Sequence, residues 1–204
     1  MQLSRPQINF GDTVVIASHN NGKIKEFKTL LKPFDLKVIT SSDLNIRDVK
    51  ETGKSFKENS ILKVKSIPNK YIAISDDSGL CVSCLGNQPG IYSARFSKEN
   101  GGWKNAMKLI YEKILQAGED NFEASFYCSL SIKFPGDIIF SYNGEVKGEI
   151  IWPPKGKNGF GYDPFFVPQT GKKTFGEIKH SNKIKIDHRS VAIKKLIKSH
   201  LNDN

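Results

Sequence analysis

The chain has 204 residues, enough for one well-buried domain and short for two, and its 38% hydrophobic and 25% charged residues give the balance of a folded globular protein rather than a disordered one. No apolar run approaches the ~20 residues of a membrane span, residues 1–10 lack the apolar core of a signal peptide, and an odd count of three cysteines agrees with a reducing compartment, so the cytoplasm is the expected location. A formal net charge of +10 points to an anionic partner, but the lysines are spread along the chain with no basic block or aromatic-interleaved basic patch, which ranks nucleic acid behind a small polyanion such as a nucleotide.

Residues 1–12 read as a polar N-terminal extension of a single domain over 1–204. Residues 13–17 (TVVIA) are continuously apolar, the pattern of a strand buried on both faces in an α/β sheet. The polar turn Ser18, His19, Asn20, Asn21, Gly22, Lys23 follows, then a helical pattern with Ile24, Phe27, Leu30 and Leu31 on one face, stopped by Pro33. Strand, short glycine-containing turn and helix start form a natural phosphate cradle, because free backbone N–H groups and the positive helix end converge there, and Lys23 adds a cation. It is not a Walker A loop: Ala17 stands where a glycine is required and Ile24 where Ser or Thr is required. An ordinary βα connection is the competing reading.

Residues 36–39 predict a second strand. Ser55 and Glu58 have capping-box spacing and start a helix through about Ile67, with Phe56, Ser60, Ile61, Val64 and Ile67 inward and Lys57 and Lys65 outward. Glu51 lies in the loop before it, either a metal ligand or a solvated loop acid. Residues 71–79 (YIAISDDSG) read as a buried strand delivering Asp76, Asp77 and Ser78 at its C-terminal end, where α/β proteins form ligand sites. Adjacent strand residues point to opposite faces, so only one of the two acids is expected to serve a site unless the strand stops between them. The alternative is an Asx-type turn.

Cys81 and Cys84 form a CxxC without a following helix start or a second ligand pair, so both read as small buried apolar residues, as does Cys128 in a strand pattern. Beyond Gly101, Met107, Ile110, Tyr111 and Ile114 predict a helix ended at Gly118. Residues 122–134 and 137–146 predict two long strands joined at Pro135-Gly136, and 149–152 another, so a mixed α/β sheet with an antiparallel portion is expected rather than a doubly wound one. Residues 153–161 (PPKGKNGFG) form a loop suited to close backbone approach. Phe160 there is either a stacking face for a base or a buried anchor, and nearby Asp163 is an acceptor for ring N–H groups. Lys183, His188 and Arg189 precede a last helix from Ser190 with Ala192, Leu196 and Ile197 inward.

The segments SHNNGKIKE, ETGKSFKENSILK, DDSG, PGIYSARF and GFGYDPFF, with the 183–189 stretch, occur in one order over about residues 13–201. Together they resemble the inosine triphosphatase (HAM1-like) family of house-cleaning nucleoside triphosphate pyrophosphatases. The SHNNGK and FGYDPFF segments fit it better than the related Maf-type enzymes.

The resemblance implies a long twisted mixed sheet with helical lobes on either side of a substrate cleft, a homodimer, and Mg²⁺-dependent hydrolysis of ITP, dITP and XTP to the monophosphate and pyrophosphate. It implies that Ser18–Lys23 and Lys63 meet the phosphates and that Glu51 and Asp77 hold Mg²⁺. Asp77 also activates water with Asp76 in support, and Ser78 touches substrate. It further implies that Phe160, Gly161, Tyr162, Asp163, Lys183, His188 and Arg189 hold a 6-oxo purine. One departure is Asp187, standing where the family commonly has Ser before the His-Arg pair. A non-catalytic nucleotide-binding protein and a nucleic-acid-binding module are the readings from other classes.

Overall fold

A computed structural model describes residues 5–118 and 121–201. They form strands β1 (Thr13–Ile16), β2 (Lys37–Thr40), β3 (Ile72–Val82), β4 (Gln88–Pro89), β5 (Glu123–Phe134), β6 (Ile138–Ile150) and β7 (Phe166–Pro168). The α-helices are α1 (Asn21–Leu31), α2 (Phe56–Lys65), α3 (Ser93–Glu99), α4 (Trp103–Gln116), α5 (His180–Ile186) and α6 (His188–His200). The fold is mixed α/β: a seven-stranded sheet in the order β2-β1-β3-β5-β6-β7, with β4 paired to β3. The chain divides into two units, Met1–Asp77 with Ser129–Gly144 and Arg189–Asn204, and Ser78–Cys128 with Glu145–His188.

In the first unit β1 runs parallel to both neighbours, with Val14 opposite Val38 and Ile72. Val14, Val15 and Ile16 are fully buried, as their unbroken apolarity requires. Helix α1 buries Phe27 and Leu31, and with them Glu26, an acid the helical pattern does not single out. Helix α2 starts where its capping residues dictate: the Ser55 hydroxyl accepts from Glu58 N at 3.2 Å, while the Glu58 carboxylate accepts from Lys54 N at 2.7 Å. Lys57 and Lys65 face outward, Val64 inward, and Asn59 and Ser60 are buried beside Val64. Ile8 N donates to His200 O at 2.7 Å, which ties the N-terminal segment to the end of α6.

Strand β3 does not stop at the acid pair. It continues to Val82, where Cys81 and Val82 pair antiparallel with Pro89 and Gln88. Gly79 makes this continuation close-packed: a Cβ there would lie 2.2 Å from Gly90 O and 2.5 Å from the Ser93 hydroxyl. That hydroxyl accepts from Leu80 N at 3.0 Å, giving the GIYS segment a structural task at the strand.

The second unit packs α4 through Ala106, Met107, Ile110 and Ile114 against Leu80, Val82, Phe126, Phe165, Phe166 and Phe175. Burying a side chain of this size contributes about 1.5–3 kcal/mol. Cys81 is buried and Cys84 half-buried against this cluster. The expected strand over 149–152 is the end of β6, where Gly148, Glu149 and Ile150 pair with β7. Between β5 and β6, Gly136 (φ 86°) and Asp137 (φ 58°) adopt the left-handed turn conformation that Pro135-Gly136 predicts. No helix among the described residues is long and apolar enough to cross a membrane.

Candidate active site

The phosphate-type turn forms as its residues require. Ala17 N donates to Ile74 O at 2.8 Å, so parallel β1 and β3 end their first-unit portions side by side. The Asn20 side chain accepts from Lys23 N at 3.1 Å and the Ser18 hydroxyl from Asn20 N at 3.2 Å, which caps α1 and orients its first turn. Asn21 and Gly22 are the first two helical residues. His19 leans away along the surface: Nε2 lies 3.0 Å from Ile46 O and Nδ1 3.3 Å from the Asp48 carboxylate.

Three cations, Lys23, Lys63 and Arg189, meet at the acid pair and tie Glu51 and Glu26 to it. Lys23 Nζ is 3.1 Å from Asp76 Oδ2, and Arg189 donates to the same oxygen at 2.9 Å and also to Glu26. Lys63 Nζ lies 2.5 Å from Glu51 Oε1, 3.7 Å from Asp77 Oδ1 and 3.1 Å from the Asp76 carbonyl oxygen. Asp77 Oδ2 accepts from the Asn59 amide at 2.9 Å. Period-two geometry thus sends the neighbouring carboxylates to different partners without ending the strand.

Their electrostatics diverge accordingly. Burial pushes the Asp76 carboxyl upward, but Arg189, Lys23 and Lys63 outweigh it and hold it well below the usual carboxylate range. For Asp77, burial prevails over Lys63 and Lys23, Glu51 adds to it, and the pKa is raised. Burial disfavours the Lys63 ammonium, yet Asp77, Glu51 and Asp76 together raise its pKa. Asp76 is therefore a fixed anion, and Asp77 is the more basic of the two.

Glu51 and Asp77 fit a hard cation. Both carboxylates reach one ammonium, so they bracket a single cation position. Among the described residues no group of three or more His, Cys, Asp or Glu could hold a metal ion. Two carboxylates with substrate phosphates and water completing the shell is the arrangement Mg²⁺ favours over an all-protein cage.

The second unit holds Phe160, Gly161, Tyr162, Asp163, Lys183 and His188. Asp163 Oδ2 accepts from Phe160 N at 2.8 Å and from Lys183 Nζ at 2.6 Å, and Lys183 Nζ lies 4.8 Å from the centroid of the Phe160 ring. Gly159 (φ +75°) permits this closure, since a Cβ would lie 2.0 Å from Asp163 Oδ2. Half-buried Phe160 and Gly161 form the accessible part. His188 is stacked on Phe126 at 5.0 Å and 11°.

Two expected base contacts are placed otherwise. Tyr162 points into the core, with its hydroxyl donating to Ser93 O at 3.2 Å and its ring edge-on to Trp103. Arg189 belongs to the first unit, where it is fully buried on Glu26 and Asp76. Ser78 is half-buried immediately after the acid pair. Asp187 is buried and extended (φ −77°, ψ 166°) directly before α6, a position where Ser and Asp are alike favoured because either oxygen caps free helix N–H groups. Sequence patterning singled out neither Asn59 nor Glu26; an amide and an acid among the buried positions of α2 and α1 are the only signals.

The sequence model of the Ham1 family matches residues 14–199. The chain belongs to the Ham1 family. A dITP/XTP pyrophosphatase from Zymomonas mobilis subsp. mobilis is 40% identical over 187 residues, 90% of each chain. Among solved Ham1 structures, a HAM1 protein from Coxiella burnetii superposes with a TM-score of 0.83 at 32% identity, covering 92% of this chain and 97% of that one. The Staphylococcus aureus Ham1 protein superposes with a TM-score of 0.79 at 38% identity, covering 91% and 96%. The Ham1 match spans both units, from β1 to α6.

Proposed function

We propose that this chain hydrolyses the non-canonical purine nucleoside triphosphates ITP, dITP and XTP to the monophosphate and pyrophosphate, removing them from the nucleotide pool. The observation that carries this reading is the Lys63 ammonium held between Glu51 and Asp77, beside the Lys23–Asp76 pair at the start of α1. Kinship with chains named dITP/XTP pyrophosphatase supports the choice of substrate.

A triphosphate carries several negative charges, so attack at phosphorus requires their neutralisation first. The 18–22 turn, the α1 N-terminus, Lys23 and Lys63 bind the phosphates, and Ser78 touches substrate. Mg²⁺, held by Glu51 and Asp77, supplies further charge neutralisation when bound. Asp77, the more basic acid, orients the attacking water and takes its proton. Asp76 stays anionic and fixes Lys23 and Arg189. The bond broken lies between the α and β phosphorus atoms, and pyrophosphate leaves.

The second unit handles the base. Phe160 offers a face for stacking, Gly161 an accessible backbone, and the Asp163–Lys183 pair with His188 a polar rim. Tyr162 supports that segment from the core. A 6-oxo purine suits donors at this rim, whereas the 6-amino group of adenine opposes donor to donor. Asp187 acts as the cap of α6. The working form is a cytoplasmic homodimer, as the family resemblance implies.

Purified protein with dITP and Mg²⁺ should release dIMP and pyrophosphate, and excess EDTA should abolish the reaction. Asp77→Asn should bind nucleotide yet lose turnover by about 10²–10⁴-fold. Near-normal turnover in that variant would remove Asp77 from the mechanism.

A further inference from the structure

Asn59 is a polar residue with no solvent exposure at all, set among the inward positions of α2. Buried amides need partners, and this one links two separate segments. Its Nδ2 donates to Asp77 Oδ2 at 2.9 Å, and its Oδ1 accepts from Gly53 N at 2.8 Å. One planar group therefore joins the loop carrying Glu51 to the strand carrying Asp77.

We propose that Asn59 is a positioning residue that fixes the separation of the Glu51 and Asp77 carboxylates for the pyrophosphatase reaction. This rests on the reading that those two acids act together on the triphosphate. Three features argue that the bridge is built rather than incidental. Gly53 is required by space: a Cβ would stand 2.7 Å from Asn59 Oδ1, 2.7 Å from Glu58 Cβ and 3.0 Å from Asn59 N, so only glycine lets the loop close on the amide. The first turn of α2 is fixed independently by Ser55 and Glu58, which gives the amide a rigid base. Finally, the two oxygens of Asp77 have distinct neighbours, Lys63 at Oδ1 and Asn59 at Oδ2, so the amide sets the rotation of the carboxylate and leaves Oδ1 facing the cation position.

No other side chain of similar size does both tasks. Asp keeps the acceptor toward Gly53 but sets carboxylate against carboxylate at Asp77, and Ala removes both bonds.

The test compares wild type, Asn59→Ala, Asn59→Asp, Gly53→Ala and the Gly53→Ala/Asn59→Ala double variant. It measures kcat and KM for dITP, Mn²⁺ binding by electron paramagnetic resonance on nucleotide-free protein, and exchange protection of the Gly53 amide. Asn59→Ala and Gly53→Ala should each lower kcat and Mn²⁺ affinity by about 10- to 100-fold with KM little changed, the size expected for groups that orient ligands. The double variant should be no worse than the single ones, since both break one bridge. Asn59→Asp should keep the Gly53 amide protected and still lose kcat, which separates the two arms. Folded variants with kcat and Mn²⁺ affinity within about threefold of wild type would overturn the proposal. If wild type itself releases no pyrophosphate from dITP, the proposed function fails instead. Mn²⁺ affinity and Gly53 protection then still decide the bridge, and their insensitivity to Asn59→Ala overturns it.

Discussion

Arg189→Met tests the buried charge network most severely. The guanidinium is fully buried and donates to both Glu26 and Asp76, themselves buried, so removing it strands two carboxylates away from water. Lys23 remains 3.1 Å from Asp76 and compensates one of them. The loss should therefore match one broken buried pair, about 3–5 kcal/mol, rather than twice that. At about 2–4 °C per kcal/mol for a chain of this length, Tm should fall by roughly 6–20 °C. Arg189→Lys keeps the charge but not the planar fork and should fall between wild type and Arg189→Met. Adding Glu26→Gln to Arg189→Met should recover part of the loss, because the stranded charge is neutralised. Scanning calorimetry and urea unfolding measure all four proteins. A loss below about 1 kcal/mol for Arg189→Met, within the range of an exposed pair, would refute the network's energetic role. So would additivity of the two substitutions.

Two further outcomes follow from single groups. Phe160→Ala removes the proposed stacking face; at about 1–3 kcal/mol per stacked base, kcat/KM for dITP should fall roughly 5- to 150-fold, mainly through KM, and an unchanged KM would take Phe160 out of the base site. His200 donates from Nδ1 to Pro6 O and pairs through Nε2 with the Tyr142 hydroxyl, each at 2.7 Å, and burial first, then Arg5, lowers its pKa against the opposing Pro6 bond. The folded state therefore favours the neutral ring, so stability should be full above the unfolded value near 6.5 and fall as pH drops through it toward the folded pKa. His200→Gln should flatten that slope in Tm against pH; an unaltered slope would assign it to other groups.

Much of the first unit is legible in the sequence because its signals are local. The apolar run of β1, the cap before α1 and the Ser55 start of α2 are each set by residues within a few positions of one another. The acid pair is legible as a site but not as a strand interior, since charges rarely occupy one; the strand continues because Lys23, Arg189 and Lys63 converge there from distant parts of the chain. Glu26 is hidden for the same reason, its partner lying 163 residues away. Asn59 escapes the pattern because the bridging role of an amide depends on Gly53 and Asp77 together. Short α3 and α5 and two-residue β4 lack the length for a periodic signal, and Tyr162 looks like a site residue until its hydroxyl is seen on Ser93 O.

The central claim is that this chain releases pyrophosphate from purine triphosphates whose base carries a 6-oxo group and no amino group, unlike adenine with its 6-amino and guanine with its 2-amino group. Initial rates of pyrophosphate release from ITP, dITP, XTP, ATP and GTP, measured side by side with Mg²⁺, test it directly. The account predicts kcat/KM for the first three above that for ATP and GTP by at least about a hundredfold. Equal rates across the five nucleotides, or none from dITP and XTP, would contradict it.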